Sequence, residues 1–77
     1  KPKYPTLNNG VADIEISVRA YNSLRWAGIR TVADLVQKEE KDLLRAKNFG
    51  KVSLKEVKEV LNSMGLRLGM RPDELYE

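Results

Sequence analysis

Apolar residues in this chain fall into short groups at helical spacing, broken by polar and glycine-containing connectors. The first group follows Ser17, a residue type that caps helix starts well, and runs without proline through Ala27. At about 100° per residue, Ala20, Tyr21, Leu24 and Ala27 share one side, and Arg19, Asn22 and Trp26 the other. Gly28 is the natural stop. A second, short helix is expected from Thr31, with Thr31 and Asp34 at capping-box spacing and Val32, Leu35 and Val36 as its apolar edge. A third is expected from Glu39 or Glu40 through Ala46. Its two glutamates suit the positive end of the helix dipole, and Leu43 and Leu44 form its buried pair. The connector Lys47-Asn48-Phe49-Gly50-Lys51 places Gly50 where a positive φ is expected. The fourth helix has the clearest pattern. Ser53 and Glu56 have capping-box spacing, although helical geometry can begin as early as Lys51, and Leu54, Val57, Val60, Leu61 and Met64 form an amphipathic stripe. Gly65 ends it, and Leu66 and Leu68 are expected to fold back onto the core.

No stretch of strict alternation calls for a sheet, so the pattern predicts an all-α, compact bundle of four short helices. Lys1 to Gly10 is rich in Pro, Asn and Gly and has no helical period. Residues 1–12 are therefore expected to be an extended N-terminal arm or linker end, residues 13–71 the folded domain, and residues 72–77 a tail.

Composition narrows the chemistry. A protein of 77 residues has room for one domain. It contains neither cysteine nor histidine, so it cannot form a disulfide or the usual zinc sites. Absent cysteine also fits a reducing compartment. No apolar run approaches bilayer length, and nothing at the start resembles a signal peptide. A start at Lys1 rather than Met is what a piece of a longer protein would show. No nucleophile–base set or metal-ligand cluster is spelled out, and the acidic pair Glu39/Glu40 has no pocket-forming context, so catalysis has no candidate residues.

Net charge is only +3, from 14 basic and 11 acidic residues, but its distribution is uneven. Residues 17–31 hold Arg19, Arg25 and Arg30 and no acid. Residues 47–67 hold Lys47, Lys51, Lys55, Lys58 and Arg67 against Glu56 and Glu59. An acid-rich segment separates them. Brought together in space, the two basic segments would make a positive patch suited to phosphate.

Each constellation has two readings. Asn48 through Glu56 combines a glycine turn with a helix start, whose unpaired N–H groups, with Lys51 and Ser53, suit a phosphate oxygen. Leu44 and Leu54 would clamp this hairpin from below. The plain alternative is a helical corner with a glycine stop and a serine cap. Leu24 to Val32 is a weaker echo of the same pattern. Arg19, with Asn22 and Ser23 one turn away, suits phosphates and minor-groove edges, or is simply a solvated face. Trp26 is either a contact for DNA sugars or a partner, or is partly covered by the tail or the linker. Lys51, Lys55 and Lys58 make a basic stripe or an ordinary wet face.

The segments Ile16-Ser17-Val18-Arg19-Ala20-Tyr21-Asn22-Ser23-Leu24, Gly28-Ile29 with Asp34-Leu35-Val36, Asn48 to Val57, and Gly65 to Met70 together resemble the C-terminal domain of the bacterial RNA polymerase alpha subunit. The likeness covers about Asp13 to Arg71. It implies a helix-hairpin-helix-like (SAM-like) arrangement on a flexible linker, binding A+T-rich upstream promoter DNA through the minor groove. By position, it implies that Arg19 is the principal groove residue, joined by Asn22, Ser23, Gly50, Lys51 and Ser53, with Glu56 orienting the arginine or its neighbours. Asp13 and Glu15 would face the sigma factor, and Glu39, Glu40, Lys41, Asp42, Leu43 and Arg71 would face transcription activators. Double-stranded DNA, the other polymerase subunits (alpha homodimer, beta and beta′), sigma and activators are the implied partners. The implied location is the bacterial cytoplasm, with no cofactor and no membrane. The family commonly has a lysine at the position of Val52. Two other helical readings remain: a helix-hairpin-helix domain of a repair or recombination protein, and a SAM-type protein-interaction domain.

Overall fold

The computed structural model describes residues 1–46 and 49–77. The expected all-α architecture is what the protein adopts. Among the described residues there are five α-helices: α1 (Val18–Trp26), α2 (Val32–Val36), α3 (Glu40–Arg45), α4 (Lys51–Ser63) and the single turn α5 (Pro72–Leu75). Two 3₁₀ turns, Pro5–Asn8 and Val11–Asp13, precede them.

The helix ends follow the local chemistry. The Ser17 hydroxyl accepts the Ala20 N–H at 3.2 Å and starts α1. At its other end Gly28 takes φ 80°, so that the Gly28 N–H reaches the Arg25 carbonyl and the Ile29 N–H reaches the Leu24 carbonyl. This is a Schellman ending, closed by apolar residues Leu24 and Ile29. The end of α4 repeats it: Gly65, at φ 76°, lets the Leu66 N–H bond the Leu61 carbonyl at 2.8 Å. For α2, Thr31 and Asp34 form the expected reciprocal capping box. At α3 the Asp42 carboxylate accepts the Glu39 N–H at 3.1 Å.

The start of α4 differs from expectation. Gly50 is extended, with φ −109° and ψ −179°, and needs no glycine-specific geometry. It is the residue that begins the helix, so Ser53 lies inside the first turn rather than capping it, and no side chain caps this end. The capping box expected of Ser53 and Glu56 is therefore absent. Glu56 instead accepts the backbone N–H of Ser17 at 2.7 Å. The echo between the two hairpins is also only partial, because Gly28 is left-handed and Gly50 is not. Lys47 and Asn48, part of the motif read from the sequence, lie outside the described residues.

The core gathers Leu24, Ile29, Val32, Leu35, Val36, Leu43, Leu54, Val57 and Leu61, all buried. Leu44 does not join it. Successive residues on a helix point about 100° apart, so α3 can aim only one of its two leucines inward, and Leu44 is 42% exposed. It therefore does not clamp the hairpin. Both ends of the sequence also differ from what their composition suggests. In the segment read as a linker end, Leu7 is completely buried and packs into the core. The Val11 N–H bonds the Arg30 carbonyl, and the Val32 N–H bonds the Asn9 carbonyl, each at 2.9 Å. In the segment read as a tail, Leu75 is completely buried. The two ends pair with each other: the Lys3 N–H bonds the Leu75 carbonyl, and the Glu77 N–H bonds the Lys1 carbonyl, both at 2.7 Å.

Candidate nucleic-acid interface

The starts of α1 and α4 meet because Glu56, one turn into α4, holds the backbone N–H of Ser17, the residue that caps α1. A carboxylate at a helix start also suits the positive end of its dipole. This contact places Arg19 on the first turn of α1, beside Gly50 at the start of α4. The two helices leave an open groove of about 720 Å³, lined by Val18, Arg19, Asn22, Ser23, Trp26, Phe49 and Gly50.

Four of the residues assigned to DNA thus share one surface, Arg19, Asn22, Ser23 and Gly50, and Trp26, weighed as a DNA or partner contact, lines it with them. Arg19 and Asn22 are exposed. Arg19 makes no ion pair among the described residues, so its charge is not neutralised internally. Arg25, by contrast, sits over the Tyr21 ring at 5.8 Å from the centroid. Ser23 is buried, and its hydroxyl donates to the Arg19 carbonyl at 3.0 Å. Ser53 is also buried, just behind the α4 start. Lys51 lines a different groove, on the far side of the α4 start. Glu56 supports α1 from behind the groove.

Two groove residues were not selected from the sequence. Val18 is 75% exposed directly beside Arg19, and Phe49 is buried in the groove wall next to Gly50. Phe49 stands within the Asn48 to Glu56 motif, which was the available signal. Val18 stands in the Ile16 to Leu24 segment that carries the family resemblance, which was its only signal. Trp26 is 72% exposed, so neither the arm nor the C-terminal segment covers it. Val52 is 80% exposed on the first turn of α4 and leaves an apolar surface there.

The residues assigned to protein contacts lie elsewhere. Asp13 and Glu15 are exposed in the segment leading into α1. Glu39, Glu40, Lys41 and Asp42 form the exposed start of α3, where Glu40 pairs with Lys58 at 3.2 Å. Leu43 is buried and offers no surface of its own. The C-terminal segment is fastened beside this helix start by the Gly69 N–H, which bonds the Lys38 carbonyl at 2.8 Å. Arg71 follows and pairs with Asp73 at 3.3 Å. That hydrogen bond raises the Arg71 pKa and lowers that of the Asp73 carboxyl. The Arg71 backbone N–H, and then the Arg67 side chain, lower that of Glu74.

The family that comprises the C-terminal domain of the bacterial RNA polymerase alpha subunit matches residues 1–63, which include the whole of this groove. The chain belongs to that family. It is also 57% identical, over 67 residues, to the DNA-directed RNA polymerase subunit alpha of Lawsonia intracellularis (strain PHE/MN1-00). That alignment covers 87% of this sequence and 19% of the relative, so the protein spans about a fifth of the length of that subunit. The matched region includes the N-terminal arm as well as α1 to α4, in keeping with the buried position of Leu7. Among the described residues, no helix is long and apolar enough to cross a membrane.

Proposed function

We propose that this protein is a non-catalytic DNA-binding and protein-contact domain of bacterial RNA polymerase, acting in the cytoplasm at the nucleoid. Arg19 enters a narrow A+T-rich minor groove upstream of a promoter, where negative potential is enhanced. Asn22 lies beside it on α1. Gly50, Lys51 and the uncapped start of α4 meet the neighbouring phosphates through backbone N–H groups. Ser23 and Ser53, both buried, act mainly by holding the helices that carry these contacts. Asp13 and Glu15 face the sigma factor. The start of α3, from Glu39 to Asp42, and Arg71 face activators. The parent subunit assembles with a second alpha subunit, beta and beta′.

The observation that carries this reading is the contact between the Glu56 carboxylate and the Ser17 N–H. It sets an exposed arginine with no ion-pair partner among the described residues beside an uncapped helix start, which is a usable anion-facing geometry. Few cations face this groove, so binding is weak and its salt dependence shallow. The test is a titration of A+T-rich and G+C-rich duplexes at one fixed salt concentration. Arg19→Ala is expected to weaken A+T binding by about 1–3 kcal/mol and to remove the preference between duplexes. An unchanged ratio between the two duplexes in the variant would falsify the assignment. A minor-groove ligand should compete with the wild-type domain, whereas a helix-hairpin-helix backbone binder would be indifferent to it.

A further inference from the structure

A second groove follows the outer face of α4. It holds about 670 Å³ and is open to solvent along its length. Its floor is apolar, made by Leu54 on α4 and by Leu66 and Leu68 in the segment that follows the Gly65 stop. Its rim is mostly basic, made by Lys51, Lys55, Lys58 and Arg67. Lys58 and Arg67 are paired with Glu40 and Glu74. Lys51 and Lys55 make no ion pair among the described residues. The acids that line the groove are Glu40, already paired, and Glu59.

We propose that this groove docks an acidic, amphipathic helix of a partner protein. The shape argues for a helix. From Lys51 to Asn62 the furrow runs about 16 Å at the rise of an α-helix, which suits a segment of a few turns better than a compact small molecule. The floor argues for protein rather than nucleic acid: Leu54 and Leu66 lie almost wholly buried beneath it, and half-buried Leu68 offers apolar contact and nothing to a phosphate backbone. The charge argues for an acidic face. Two unpaired lysines stand at one end of the furrow, where carboxylates on the partner would complete them. Arg19 lies on the other groove, so this surface is distinct from the proposed minor-groove contact, and the two readings share only Lys51, which lines this groove and not the other.

The test uses all 77 residues, labelled for NMR, and a blocked synthetic peptide. That peptide carries leucines at i, i+3, i+4 and i+7 and glutamates elsewhere. Saturable shifts at Leu54, Leu66 and Leu68 are expected, with binding unchanged in Arg19→Ala. The paired variant Lys51→Glu/Lys55→Glu is expected to bind on the order of tenfold more weakly, as for the loss of two exposed charge contacts and their reversal. Both lysines are exposed, so the fold should survive, and the dispersion of the variant's spectrum checks this. Equal binding of a sequence-scrambled peptide with the same composition would overturn the proposal, as would shifts confined to the lysines. So would an A+T-rich duplex that moves the three leucines while the peptide does not.

Discussion

Glu56 shows how one side chain can serve a helix other than its own. Its spacing from Ser53 fits a capping box, but its carboxylate goes to the Ser17 N–H, 39 residues away in sequence. Spacing along one helix cannot say which neighbour will compete for a carboxylate. Only the crossing of α1 and α4 decides that; the family resemblance implied, by position, a residue that orients the arginine or its neighbours, and the observed partner is the Ser17 N–H. Glu56→Ala should therefore cost about 1–2 kcal/mol of stability, as for the loss of a charged cap, and should weaken DNA binding although the residue itself does not face the groove. Urea unfolding and duplex titration check the two effects together. Glu56→Gln, which keeps an acceptor, should recover most of the stability. Val52 is the opposite case, since its chemistry was plain in the sequence, and it stands 80% exposed on the first turn of α4, next to the buried Ser53 and Leu54. Replacing it with lysine should raise affinity and steepen the dependence of log K on log salt by about one ion. A parallel shift with no change of slope would mean that Val52 stands away from the phosphates.

Among the elements, α1 to α4 were legible, α1 and α2 from their caps, α3 from the acids at its start and α4 from its apolar stripe and its glycine stop. Ser17 and Thr31 cap, Gly28 and Gly65 stop, and the apolar stripes have helical period. The 3₁₀ turns and α5 were not legible. Each is a turn or so long, and the first of them and α5 each bury a single leucine, Leu7 and Leu75; one residue has no period to detect. The C-terminal turn is also held by charges whose titration has a definite sign. Asp73 and Glu74 have lowered pKa values in the fold, because Arg71 and Arg67 favour their charged forms. Their contribution is present above the ordinary carboxylate pKa and is lost as pH falls through the lowered folded values. All these groups are exposed, so the effect is local and screened by salt. Amide exchange at Tyr76 and Glu77, corrected for its intrinsic pH dependence, should therefore speed up on acidification and more so at low salt. Protection that stays constant from neutrality to below the carboxylate range would show that the hydrogen bonds to the arm hold this turn without the ion pairs.

At the scale of the whole molecule, the N-terminal and C-terminal segments act as one piece of structure. A domain of 77 residues has little surplus core, since small proteins bury a smaller share of their surface. Leu7 and Leu75, each fully buried, are worth about 1.5–3 kcal/mol apiece by their transfer from water. Against a total stability of about 5–15 kcal/mol, neither is dispensable. Deleting residues 1–8 should therefore lower the urea midpoint substantially, and so should deleting residues 72–77. Read as a linker and a tail, the two segments would be independent and both deletions nearly neutral. In the fold they share the Lys3–Leu75 and Glu77–Lys1 hydrogen bonds, so each deletion already removes bonds that the other would remove. The double deletion should consequently cost less than the two single costs added together, by an amount typical of residues in contact, about 0.5–3 kcal/mol. Strict additivity in that cycle would mean that the ends contribute through the core alone. Coupling would make the arm part of the domain, so that a tether attached before it would start beside the C-terminal turn rather than at α1.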